Sequence, residues 1–264
     1  MPVRIAYVSF PSLATAPLSV AGKLVIPTEP DGSAATGRPA VVICHGSDGV
    51  DGRGEFYAPS LQAAGVATLE VDMWAARGTA RGASARPRSP LETLPDAFGA
   101  LKFLGEQPEV DAARVGIMGF SWGGVVTLLS AVSANAAPLL AGRPAFRAHA
   151  ANYPVCWIYG VLPGVALEGL SGAPILLQTG AADTYDDPDG AAQLLARMQP
   201  PDARLIDSIV YAGAGHGFDR NLPAQTINDP AAHKGAGGPV LMAFDEMAAT
   251  AAREAIVRFF AANL

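Results

Sequence analysis

Residues 115–129 read VGIMGFSWGGVVTLL. The apolar run Val115–Met118 has the composition of a buried strand, and Val125–Leu129 that of a buried helix. Between them, Gly119-Phe120-Ser121-Trp122-Gly123 fits G-x-S-x-G, the pattern of a serine on a sharp strand-to-helix turn. The reason for the glycines is steric. Glycines two residues before and after the serine let neighbouring backbones approach without a Cβ clash, while the serine takes a strained conformation. A Gly-rich turn without chemistry is the plain alternative. A strand on one side and a helix on the other favour the reactive reading.

Outward from this turn, short apolar runs alternate with helix-like segments. The expected strands are Ile5–Phe10, Leu18–Ile26, Ala40–Cys44, Val66–Val71, Val115–Met118, His149–Val155, Ile175–Thr179 and Leu205–Tyr211. Several are continuous runs of Val, Ile and Leu, the composition of parallel strands covered on both faces. Helices are expected at Glu55–Ala64, after Pro95 with Phe98, Leu101 and Leu104 on one face, at Trp122–Ala134 and at Ala191–Met198. A last helix, N-capped by Asp245, runs to about Ala262 and buries Ala252, Ala255, Ile256 and Phe259. A helix-like piece is expected around Ile158–Leu170. Strand–helix alternation implies a doubly wound α/β sheet in one domain, with the first two strands as an antiparallel edge hairpin. The stretches Ala75–Ser89 and Asp219–Gly238 read as irregular loops bordering the cleft.

The 264 residues are 50% hydrophobic and 16% charged, enough apolar material for a sizeable core, and the composition of disorder is the opposite. A net charge of −6 without a basic stripe argues against a nucleic-acid partner. Val115–Gly142 is uncharged, but its glycines, Asn135 and Pro138 fit a strand, a turn and a buried helix better than a membrane span. The N-terminal MPVRIAYVSFPSL lacks a basic region followed by a long apolar core, so a cytoplasmic chain is expected, a trimmed export signal being the alternative. Cys44 and Cys156 lie in strand-like runs and read as buried thiols; without paired Cys/His spacing, no metal and no organic cofactor are expected.

A serine hydroxyl is a weak nucleophile until a base takes its proton. Of the four histidines, His45 opens the loop after the third strand, His149 lies in a strand and His233 in a surface loop. His216, in AGAGHGF after the last strand, is the one placed to reach across a cleft. The imidazole needs an acid to fix its tautomer, and TGAADTYDD after the seventh strand offers Asp183, Asp186 and Asp187. Asp183 is favoured because it is nearest the strand end; Asp186 and Asp187 read as turn and capping residues near Pro188. Donors for an oxyanion are expected from the backbone of Trp122 and from HGSDG after the third strand, with Ser47 preferred and Gly46 or Asp48 as alternatives. His45 reads as the residue that orients this loop.

These motifs together resemble the dienelactone hydrolase family. The likeness runs from VVICHG through GFSWGG, TGAAD and YAGAGHGFD to the terminal helix. It implies the α/β-hydrolase fold with a mostly parallel eight-stranded sheet, helices on both faces and no large lid. It also implies Ser121, Asp183 and His216 as a triad acting on lactones and small esters. Dienelactone hydrolases proper carry cysteine in this turn; Ser121 here favours a general carboxylesterase. They also bind a substrate carboxylate with arginines, and Arg77 in VDMWAARG is the corresponding candidate, displaced by about one residue. An exposed charge without a ligand is the plain reading of Arg77. The expected partner is a small-molecule ester or lactone. A ligand receptor without turnover, and a peptidase on the same fold, are the competing functions.

Overall fold

The computed structural model describes residues 2–32, 36–79, 82 and 86–264. Eight strands form one sheet: β1 (Val3–Pro11), β2 (Ser19–Pro27), β3 (Arg38–Cys44), β4 (Ala67–Asp72), β5 (Val110–Phe120), β6 (His149–Asn152), β7 (Ile175–Gly180) and β8 (Ile206–Tyr211). Their order is β1-β2-β4-β3-β5-β6-β7-β8. β2 pairs antiparallel with β1 and with β4, and every pair from β4 through β8 is parallel. The edge hairpin and the parallel centre are those expected from the sequence.

Because side chains alternate along a strand, each central strand feeds two cores. Val41 and Ile43 of β3 and Met118 and Phe120 of β5 pack with Tyr57 and Leu61 of α1 (Arg53–Ala63) and with Ala252 and Ile256 of α8 (Glu246–Asn263). Ala40, Val42, Val115 and Ile117 face the other way, onto α2 (Leu94–Gly105) and α3 (Trp122–Ser130). α4 (Ser133–Leu140) and α5 (Gly190–Arg197) pack on this second face through Ala136 and Leu194. A single turn, α6 (Pro200–Ala203), leads into β8. An eight-stranded, mostly parallel sheet covered by helices on both faces is the α/β-hydrolase architecture. No helix among the described residues is long and apolar enough to cross a membrane.

Several elements differ from the sequence expectation. The helix after Ser121 stops at Ser130, because Val132 turns extended and bridges Leu170, while Ser133 N–H bonds to Gly169 O; α4 then starts afresh. β6 ends at Asn152, since Tyr153 and Val155 have φ of 40° and 56° around Pro154. The segment Ile158–Leu170 is no helix. A 3-10 turn, Cys156–Ile158, gives way to turns in which Gly160, Gly164 and Gly169 take positive φ. Asp219–Gly238 is not wholly irregular: β9 (Gln225–Asp229), a tight turn α7 (Ala232–Gly235) and β10 (Gly238–Met242) build a two-stranded hairpin. In the stretch Ala75–Ser89, Ala75–Arg77 is a 3-10 turn, and residues 80, 81 and 83–85 lie outside the described residues. Asp245 Oδ1 caps α8 by accepting from Ala248 N–H at 3.0 Å, and the buried aromatic of that helix is Phe260, not Phe259.

Candidate active site

The turn after β5 has the geometry its glycines imply. Ser121 has φ 51° and ψ −111°, a strained backbone that places its side chain above the N-terminus of α3. A Cβ on Gly119 would lie 2.2 Å from Gly123 O, and one on Gly123 would lie 2.1 Å from Cys44 O, the end of β3. Only hydrogen fits at either place. Ser121 N–H donates to Asn152 O at 2.9 Å, tying the turn to β6.

Three side chains from three strand ends meet here. His216 Nε2 stands 2.8 Å from Ser121 Oγ, and His216 Nδ1 stands 2.7 Å from Asp183 Oδ2. The second carboxylate oxygen of Asp183 accepts from Tyr185 N–H at 2.9 Å. With Nδ1 facing a carboxylate, the proton belongs on Nδ1, which leaves Nε2 as acceptor for the serine hydroxyl. His216 and Asp183 are buried, which strengthens the bond between them, while Ser121 is partly open to the cleft. The imidazole is held by rings on two sides, Tyr185 at 4.1 Å and Tyr153 at 4.9 Å between centroids. Behind Tyr153 lies a buried polar knot. Asp219 accepts from the hydroxyls of Tyr153 and Tyr57 and from Asn152 Nδ2.

The other two acids do different work. Asp186 accepts from the backbone N–H groups of Cys156 and Trp157, at 2.6 and 2.7 Å, and so fastens the loop after β6 to the loop after β7. Burial pushes its carboxyl up to about 6, against those two bonds. Asp187 is exposed and pairs with Lys234 at 2.8 Å.

The loop after β3 is held by His45. Its Nε2 accepts from Met73 N–H at 3.0 Å, so the proton sits on Nδ1, which bonds to Gly46 O at 2.7 Å. Burial lowers this imidazole to about 4 and keeps it neutral. Ser47 follows and shares both hollows beside Ser121. Trp122 contributes its backbone at the start of α3; its ring is buried, with Nε1 donating to Thr93 Oγ1 at 3.0 Å.

The larger hollow beside Ser121 measures about 130 Å³. Val125, Val155, Ile158 and Leu162 give it an apolar lining, to which Arg86, Arg88 and Pro90 also contribute. Arg77 is not among the residues lining it. Its guanidinium bonds to the fully buried Asp96 at 2.6 Å and to Met73 O at 2.7 Å, so it is neither an exposed charge nor a substrate ligand. Arg86, unlike Arg77, does line the cleft. Its two nitrogens grip Asp229 at 2.9 Å each, and Nη1 also donates to Ser47 Oγ at 3.0 Å. Sequence reading passed over Arg86, Asp229 and Tyr185. Only Tyr185 carried a local signal, an aromatic two residues after the expected acid. Among the described residues, no group of three or more His, Cys, Asp or Glu is gathered as metal ligands.

Comparison with known proteins agrees with this fold. A probable 2-oxo-3-(5-oxofuran-2-ylidene)propanoate lactonase from Bradyrhizobium sp. is 28% identical over 197 residues, 71% of this chain and 76% of the lactonase. The crystal structure of a putative dienelactone hydrolase from Klebsiella pneumoniae superposes with a TM-score of 0.69 over 99% of both chains at 16% identity. An esterase from Pyrobaculum calidifontis gives a TM-score of 0.63 over 98% of this chain and 85% of its own, at 15% identity. Residues 25–264, from β2 to the C-terminal helix, match the profile of the dienelactone hydrolase family. The chain with Ser121 at its strand-to-helix turn therefore belongs to the dienelactone hydrolase family of α/β-hydrolases.

Proposed function

We propose that this protein hydrolyses small carboxylic esters or lactones through an acyl-Ser121 intermediate. The observation that carries the reading is the continuous chain of contacts from Ser121 Oγ through His216 to Asp183, at 2.8 and 2.7 Å. Ser121 Oγ attacks the carbonyl carbon while its proton passes to His216 Nε2. The negative charge on the carbonyl oxygen is met by the backbone N–H of Trp122 and one from the loop at Ser47. Collapse expels the alcohol, or opens the lactone, and Nε2 returns the proton to the leaving oxygen. A water, deprotonated by the same nitrogen, then releases the acid and restores Ser121. Asp183 keeps the imidazole in the right tautomer and stabilises its cationic form without itself taking a proton. The named activities of the lactonase and the esterase above are consistent with this chemistry. No metal or organic cofactor enters any step.

Incubation with a fluorophosphonate probe should label Ser121 alone, read by mass spectrometry of the peptides. Ser121→Ala should lower kcat on an activated ester by several orders of magnitude, roughly 10⁴-fold or more. Labelling elsewhere, or turnover unchanged in Ser121→Ala, would overturn the proposal. A burst without steady turnover in the native protein would favour a receptor over an enzyme.

A further inference from the structure

Arg86 and Asp229 lie 143 residues apart in the chain, one before α2 and the other at the end of β9, and they meet beside Ser121. Two parallel bonds of 2.9 Å join them, and their side chains are only 16% and 2% exposed. Asp229 accepts two further bonds and lines the smaller hollow beside the nucleophile. Tyr185 donates its hydroxyl at 2.8 Å and Ala231 its backbone N–H at 2.8 Å. Arg86 lies over the Trp122 ring at 5.6 Å and donates to Ser47 Oγ. One bidentate pair thus joins the two loops across the mouth and touches residues on both sides of the nucleophile. A bidentate guanidinium–carboxylate pair is directional and rigid, which suits a wall better than a mobile ligand.

We propose that Arg86 and Asp229 form a clasp that limits the length of acyl group the site accepts, and that Arg86 positions Ser47 for the reaction. The proposal rests on the ester reading above. Arg86 directs three bonds to Asp229 and Ser47, so it lines the apolar hollow as part of a fixed wall. An acyl chain longer than the hollow must break the clasp, which leaves Asp229 a buried carboxylate without its counter-charge. Loosening the pair should then lengthen the accepted chain and slacken the loop at Ser47.

The test compares p-nitrophenyl acetate with octanoate in the wild type, Arg86→Met and Asp229→Asn. The octanoate-to-acetate ratio of kcat/KM should rise on the order of tenfold in both variants, the effect of burying one or two more methylenes. On acetate, kcat should fall several-fold with little change in KM, because positioning, not binding, is lost. A ratio within about twofold of wild type in both variants overturns the clasp, since uncovering less than one methylene would do as much. A second measurement needs no variant. Phenylglyoxal should modify the exposed Arg258, whose side chain is 70% accessible, well before Arg86. Equal rates would show the clasp open in solution and would overturn it even if neither variant folds. A wild type that turns over no ester refutes the ester reading instead, and the phenylglyoxal rates then decide on the clasp alone.

Discussion

At the scale of single residues, chemistry was legible where a residue's role is announced by its neighbours in the chain. Ser121 is framed by glycines that its turn requires, and His216 and Asp183 follow strand ends. Arg86 was not legible, because its meaning comes from Asp229, which no local pattern connects to it. Arg77 misled for the same reason: its partner, Asp96, lies on the next helix. The choice among the three acids is a residue-scale question with a clear experiment. Asp183→Asn should lower kcat by roughly 10³- to 10⁴-fold, because the amide supports the wrong imidazole tautomer. Asp186→Asn should keep most of kcat but lose about 1–2 kcal/mol of stability, since it weakens two bonds to Cys156 and Trp157. Asp187→Asn should do neither, its carboxylate being an exposed partner of Lys234. Steady-state kinetics with urea melts on the three variants decide it, and a crippled Asp186→Asn with an active Asp183→Asn would reverse the assignment.

At the scale of elements, apolar runs fixed the strands, and the misses came where tertiary bonds overrode a local pattern. The helical pattern through Ala134 is cut because Ala131 O and Ser133 N–H bond to the 169–171 segment. β9 is polar apart from Ile227, and the apolar run of β10 is only three residues, Val240, Leu241 and Met242, after Gly238-Pro239, so neither strand shows the longer apolar run that marks β3 or β7. One strand carries a misplaced charge. Glu70 of β4 points at α1, with its carboxylate pressed against Gly54. Burial raises its pKa from 4.5 to about 7; Glu55 and Asp51 add to this, while Lys23 and Arg53 oppose it. The folded state therefore holds this proton more tightly than the unfolded chain. Below about pH 4.5 both states are protonated and Glu70 costs nothing; between there and pH 7 stability falls as pH rises, and above pH 7 the full penalty stands. Glu70→Gln should gain about 1–3 kcal/mol relative to wild type on going from about pH 4.5 to about pH 8, in urea denaturation. An equal difference at the two pH values would show that Glu70 ionises freely in the fold.

At the scale of the whole molecule, the mostly parallel sheet with its antiparallel edge hairpin could be anticipated from the alternation of elements and the family likeness. The shape of the cleft could not, since it depends on how far the loops after β4 and β8 reach. Both do border it, through Arg86 and Arg88 on one side and Ile227, Asp229 and Ala231 on the other. The chain between β6 and β7 offers turns in place of a helical lid, and α7 is a single turn of four residues. An interfacial lid needs an amphipathic helix long enough to lay an apolar face on lipid. Nothing of that kind spans this mouth among the described residues. The hollow beside Ser121, about 130 Å³, is slightly smaller than an apolar cavity of about 150 Å³ that takes a benzene-sized body. Its room is therefore that of an acyl group of about six carbons or a compact lactone, and each further methylene would gain the roughly 0.8 kcal/mol that burial supplies only if the clasp opened. On a series of p-nitrophenyl esters from acetate to palmitate, kcat/KM should peak between acetate and hexanoate. Emulsified lipid should leave the rate unchanged, because no covered site waits for a surface to open it. A maximum at long chains, or a jump in rate above the lipid's solubility limit, would mean that the two loops part much further than their buried ion pair implies.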